Sequence, residues 1–252
     1  MKVEVNGIQL FYETKGQGPP LILLHGNGED HHIFDESADR LAKKWTVFLP
    51  DSRGHGNSSR IREFHYRDMA EDIIGMIEEL RIKEPCLYGF SDGGIIGLLI
   101  AIKRPELLSG LIISGANLNP RGMKRFPFWL YCAAWFFSRN PKLRLMLTEP
   151  DIRNSELARI PIPVWVTAGE HDVIRRNHTE QIAAAIPVSG LRIVRKETHS
   201  SYVLRGSVFL PVIQEGLCFV SQRETPHSRK SGHPGSAEKA AKPPERRDTG
   251  QG

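Results

Sequence analysis

A chain of 252 residues is long enough for one large domain with a sizeable core, and 40% apolar with 25% charged residues excludes a mostly disordered chain. The formal net charge of +5 does not mark a nucleic-acid binder: residues 222–252 hold seven Lys/Arg against four Asp/Glu, and the body carries 27 basic and 25 acidic residues, which leaves no cationic footprint. Cys86, Cys132 and Cys218 are far apart in apolar surroundings, which predicts reduced core thiols rather than a disulfide framework, and no CxxC pair suggests a metal.

The first ten residues, MKVEVNGIQL, have no continuous apolar core and no small-residue cleavage site, so they do not read as a secretory signal and the expected compartment is the cytoplasm. Lys2 to Val5 and Gln9 to Glu13 are β-prone and flank Asn6-Gly7, a strong hairpin turn signal. Leu21 to His25 is a continuous apolar run of the kind found in strands buried on both faces, and it ends in glycines. A helix is expected near Glu36 to Lys44, a strand at Thr46 to Pro50 and a helix near Tyr66 to Leu80, where Met69, Ile73, Met76, Ile77 and Leu80 form one apolar stripe. The strand Cys86 to Gly89, a helix from Asp92 to Arg104 and the strand Leu111 to Ser114 follow. After an interruption come the strand Val164 to Ala168, a helix near His178 to Ala185, the strand Leu191 to Lys196 and a closing helix near Val208 to Val220. This alternation predicts an α/β fold with a mostly parallel central sheet and helices on both faces. Chemistry in such sheets gathers at the carboxyl ends of the strands.

The interruption, residues 117–161, contains an aromatic-rich stretch from Phe126 to Phe137 between basic clusters, and reads as a short helical lid inserted in a single domain of residues 1–221. Phe126, Phe128, Trp129, Tyr131, Trp135, Phe136 and Phe137 are expected to form one wall of an apolar acyl pocket, with Phe128, Trp129 and Trp135 contacting substrate. Twelve residues of helix reach about 18 Å, too short to cross a bilayer core of about 30 Å, but basic flanks would let the segment lie on a membrane surface. Residues 222–252 contain no Val, Ile, Leu, Met, Phe, Tyr or Trp and are expected to be a disordered basic tail.

Gly89-Phe90-Ser91-Asp92-Gly93 fits G-x-S-x-G, a tight turn that lifts a serine from the end of a strand to the start of a helix. The pentapeptide alone is weak evidence; its context, a strand before it and an apolar helix after it, gives it weight. A serine hydroxyl needs a base within hydrogen-bond reach and a third group to orient that base. Asp172 follows the strand Val164 to Ala168 and His199 follows the strand Leu191 to Lys196, in the chain order Ser, Asp, His, with Glu170 as a rival acid. The oxyanion formed by attack needs preorganised donors, and the backbone N–H groups of Asn27, in His25-Gly26-Asn27-Gly28, and of Asp92 are the expected pair. Acyl transfer by such a set, from a small-molecule ester to water, requires no cofactor and no metal. Arg53 and His55 are read as holding the loop Asp51 to Ser58, and His31-His32 as a solvated loop without a metal-ligand partner.

Over roughly residues 1–220 the chain resembles the α/β-hydrolase superfamily. His25 to Gly28 matches the H-G-x-G turn, Asp51 to Ser58 the D-x-R-G-x-G-x-S loop and Gly89 to Gly93 the nucleophile elbow, with the acid and base loops at Asp172 and His199. Within the superfamily, Val5 to Leu10, Gly89 to Gly94 and Gly115 to Asn117 are similar to the biphenyl hydrolase-like, or valacyclovir hydrolase, group. That resemblance implies that Asp92 contacts the amino group of amino acid ester substrates; a carboxylate in the first turn of a helix is also favoured by the helix dipole. Two other readings stay open on the residues: the same scaffold hosts C–C bond cleavage and other acyl chemistry, and a non-catalytic ligand-binding protein can keep the fold.

Overall fold

The computed structural model describes residues 1–222, so the expected tail lies, beyond Gln222, outside the described residues. Eight strands form one sheet: β1 (Lys2–Val5), β2 (Ile8–Lys15), β3 (Pro20–Leu24), β4 (Thr46–Pro50), β5 (Cys86–Phe90), β6 (Gly110–Ser114), β7 (Val164–His171) and β8 (Ser189–Thr198). Their order is β1-β2-β4-β3-β5-β6-β7-β8. The Asn6-Gly7 turn, with both residues at positive φ, pairs β1 with β2 antiparallel, and β2 joins β4 antiparallel. All pairs from β4 to β8 are parallel, and among the described residues β8 is an edge strand bonded only to β7.

The central strands read as continuous apolar runs because both of their faces are covered. In β3, Leu21 and Leu23 enter one core while Ile22 and Leu24 enter the other. The helices α1 (Asp35–Leu41), α2 (Tyr66–Glu79), α3 (Asp92–Lys103), α7 (Arg176–Ala185) and α8 (Gly206–Ser221) supply the two layers. Side chains of α1 and α8 fill one core and those of α2, α3 and α7 the other. The fold class expected from the alternation is the one observed, and its boundaries move by up to three residues, as at the end of β7, which reaches His171 rather than Ala168.

Between β6 and β7 lie α4 (Arg125–Ser138), α5 (Pro141–Thr148) and the single turn α6 (Asn154–Leu157). The chain turns between α4 and α5 at Arg139, which takes a left-handed conformation, and at Asn140, whose side chain caps α5 by accepting from the Lys142 N–H at 2.9 Å. Pro141 at the first helical position suits that start. No residue of α4 is buried. Two sequence expectations are corrected here. Cys86 is a core thiol, but Cys132 is half-buried and Cys218 exposed, because α4 and α8 turn those positions away from the cores. His31 is not solvated: it is 1% exposed and its ring meets Asp51 Oδ1 at 2.7 Å, while His32 stays exposed.

Candidate active site

Ser91 sits between β5 and α3 at φ 52°, ψ −112°, a backbone state that costs a non-glycine residue about 1–3 kcal/mol and persists only when the surroundings enforce it. They do so by close packing. A Cβ on Gly89 would lie 2.1 Å from the Gly93 carbonyl oxygen, and one on Gly93 would lie 2.3 Å from that of Leu24. The Ser91 N–H donates to the Ser114 carbonyl at 2.7 Å, which ties the turn to β6.

The structure brings Ser91, His199 and Asp172 together at the carboxyl ends of β5, β8 and β7. His199 Nε2 is 3.0 Å from Ser91 Oγ, and His199 Nδ1 is 2.7 Å from Asp172 Oδ1. The carboxylate can only accept, so Nδ1 carries the proton and neutral Nε2 is left to take the serine's. Asp172 is 2% exposed and is itself fixed by the N–H groups of Ile174, at 2.9 Å, and Gly169, at 3.3 Å. Glu170, the rival acid, points to solvent and accepts from the Lys196 N–H at 2.8 Å. Burial pulls the His199 ring toward the neutral form, but the charge and hydrogen bond of Asp172 outweigh it and hold the ring above its ordinary value.

The loop that delivers His199 reads Glu197-Thr198-His199. Ser201 Oγ accepts from the Thr198 N–H at 2.8 Å and donates to Glu197, which also pairs with Arg205. These contacts keep the Glu197 carboxyl below its ordinary range.

Asn27 and Asp92, the expected oxyanion pair, meet through their side chains: Asn27 Nδ2 donates to Asp92 Oδ2 at 2.8 Å and also reaches the Lys142 carbonyl at 3.2 Å. Two neutral histidines brace the glycine-rich turn. The Ser52 N–H donates to His25 Nε2 at 3.0 Å and the Gly28 N–H to His55 Nε2 at 3.1 Å. A ring nitrogen that accepts from an amide cannot carry a proton, and burial accordingly lowers both rings, His55 to about 3. Arg53 forms a fork with Asp72 at 2.5 and 2.6 Å, so this loop is a support rather than a contact surface.

Asp92 is 3% exposed. Tyr66 donates its hydroxyl to Oδ1 at 2.7 Å. Burial raises this carboxyl to about 6, against the hydrogen bonds of Tyr66 and Asn27 and the fields of His199 and Lys142. Sequence reasoning missed Tyr66, Glu29 and Lys142. Glu29 Oε2 accepts from the Gly26 N–H at 2.9 Å beside the serine, and burial raises its carboxyl. Tyr66 is recognisable in the sequence only as one more residue of an amphipathic helix; the others lie in loop and lid stretches without periodicity.

The lid aromatics divide by face. Phe128, Tyr131, Cys132 and Trp135 are half-buried, and the Tyr131 hydroxyl is raised by burial and by the charges of Asp92 and Asp172. Phe128, Trp129 and Trp135 line an open apolar cleft of about 560 Å³ between α4 and α5, and no residue of the Ser91 cluster lines it. The expectation of a continuous aromatic wall is therefore corrected for Phe126 and Phe137, exposed on the outer face, and for Trp129 and Phe136, exposed along the cleft beside α5. An all-apolar helix can press only one side against the body.

Residues 19–189 match the family model described as the alpha/beta hydrolase fold, and the chain belongs to that family. Serine hydrolase BPHL of Homo sapiens is 30% identical to it over 251 residues, covering 86% of this chain and 85% of the relative. Among solved structures, a thermophilic esterase from Thermogutta terrifontis superposes with a TM-score of 0.72 at 22% identity, covering 87% of this chain and 99% of that one. An enol-lactonase from Burkholderia xenovorans LB400 superposes with a TM-score of 0.73 at 18% identity, covering 86% and 100%. At these identities the solved structures speak for the fold alone. Among the described residues, no helix is long and apolar enough to cross a membrane.

Proposed function

We propose that the chain hydrolyses carboxylic esters of small, partly apolar molecules through an acyl-enzyme on Ser91. The observation that carries this reading is the relay of 3.0 Å from Ser91 Oγ to His199 Nε2 and 2.7 Å from His199 Nδ1 to Asp172 Oδ1, built on a strained serine. His199 takes the serine proton as Oγ attacks the carbonyl carbon, and Asp172 stabilises the imidazolium that forms. The N–H groups of Asn27 and Asp92 take up the oxyanion, and the imidazolium returns its proton to the departing alcohol. Water, deprotonated by His199, then releases the acid and restores the serine. The partial identity to a serine hydrolase supports the same class of nucleophile.

Asp92 refines the substrate class. It is a buried carboxylate with a pKa of about 6, so it is anionic at neutral pH, and its hydrogen-bond partners Tyr66 and Asn27 are neutral. A buried anion next to the nucleophile, hydrogen-bonded only to neutral groups, favours a cationic group on the substrate, as in amino acid esters. Tyr131, half-buried and within the fields of Asp92 and Asp172, would contact the apolar part.

The test is Ser91→Ala against wild type on p-nitrophenyl esters of increasing chain length, with fluorophosphonate labelling alongside. Turnover is expected to fall by about 10⁴–10⁶ and labelling to vanish. A Ser91→Ala protein with near-normal esterase activity, or wild type that resists the probe and all esters, overturns the reading.

A further inference from the structure

From the outer face of α4 we infer an interfacial docking surface for an anionic lipid bilayer. A helix that is apolar all round is normally buried in a core or in lipid. Here Phe126 is 75% exposed, Trp129 69% and Phe137 84%, with Leu130 and Phe136 also open to solvent. Among the described residues nothing covers this face, and the helix is too short to span a bilayer.

Charge selects the occupant. Residues 121–148 carry five exposed cations, Arg121, Lys124, Arg125, Arg139 and Arg144, and no Asp or Glu, while the half-buried Lys142 turns toward Phe64. Lys124 and Arg125 stand at one end of α4 and Arg139 just past the other, all exposed, with no charge between Arg125 and Arg139. Pairing two copies through this face would bring cationic ends against cationic ends whether the helices ran parallel or antiparallel. A surface of negative headgroups over hydrocarbon complements both features: the aromatics enter the interface and the flanking cations meet the phosphates. Arg139 already sits over the Trp135 and Phe136 rings, at 5.1 and 5.2 Å, which holds its charge at that boundary. The same helix pair touches the site through the Lys142 carbonyl, which accepts from Asn27 at 3.2 Å, so the docked face belongs to an element that borders the serine's surroundings.

The test is co-sedimentation of the full chain with phosphatidylcholine vesicles, alone or with about one-third phosphatidylserine. Wild type is expected to pellet with the anionic vesicles only and to be released by salt. The double variant Phe126→Ser/Phe137→Ser, altered at two exposed positions, should keep its activity on a soluble ester and bind about tenfold more weakly. Three results overturn the inference: no binding to anionic vesicles at low salt, equal binding by the double variant, or a wild-type dimer that the double variant converts to monomer, which would assign the face to a second copy.

Discussion

His55 Nε2 receives the N–H of Gly28 at 3.1 Å, so the loop after β4 holds the turn that follows β3 through a ring that must stay unprotonated. The ring has a folded pKa of about 3 against an ordinary value of 6.5, chiefly through burial. The unfolded chain therefore binds the extra proton between these values. Stability from this group is fully present above about 6.5 and is lost as pH falls toward 3, a change of about 3–5 kcal/mol. His55→Gln offers the Gly28 N–H an amide oxygen that does not titrate. Urea denaturation between pH 7 and 4 is expected to give a flatter stability profile for the variant than for wild type; equal slopes would contradict this.

Asp172→Asn removes the charge that lifts the His199 ring above its ordinary value. The ring must be neutral to accept the serine proton, so the acid limb of kcat/KM lies above the ordinary histidine range in wild type and should move to lower pH in the variant. Turnover on p-nitrophenyl acetate should fall by about 10⁴. An unmoved acid limb would show that Asp172 does not set the ring's charge.

Asp92→Asn separates substrate recognition from catalysis. Amino acid esters should lose about tenfold or more relative to their desamino counterparts, measured as the ratio of kcat/KM values. In wild type that preference should fade as pH drops through about 6, where the carboxyl takes up its proton. The raised pKa has the opposite sign for folding: the native state binds the proton more readily, so stability from this group is lost as pH rises through about 6. The melting temperature of Asp92→Asn relative to wild type should therefore climb between about pH 4 and 6 and level off above.

Gly115 has φ +64°, and a Cβ there would lie 2.7 Å from His199 Cε1 and 2.9 Å from Nδ1. Gly115→Ala should cost about 1–3 kcal/mol of stability and, by pushing the ring off the serine, about 100-fold in kcat. Gly7→Ala is the control, since Gly7 has a similar φ of +75° and open space around it. It should lose stability and keep turnover.

The sheet and the positions of Ser91, Asp172 and His199 were legible because each follows a recognisable strand, apolar for Ser91 and most of the way for Asp172 and mixed for His199, and the carboxyl ends of parallel strands share one rim. The strand pattern could not say which face of α4 turns inward, since an uninterrupted apolar segment has no polar side to mark solvent. His31 was misread for a related reason: its burial depends on Asp51, twenty residues away and on another strand's exit. Tyr66 reaches Asp92 from the start of α2, a contact made only once the helix is docked.

The base stands just past an edge strand of the sheet, whereas the nucleophile rises from its middle. Thermal fraying at the margin would carry the imidazole away while the hydroxyl stayed in place, so warming should silence turnover in a step that leaves most far-ultraviolet ellipticity intact. Cooling after brief exposure would then restore the rate without any refolding of the interior.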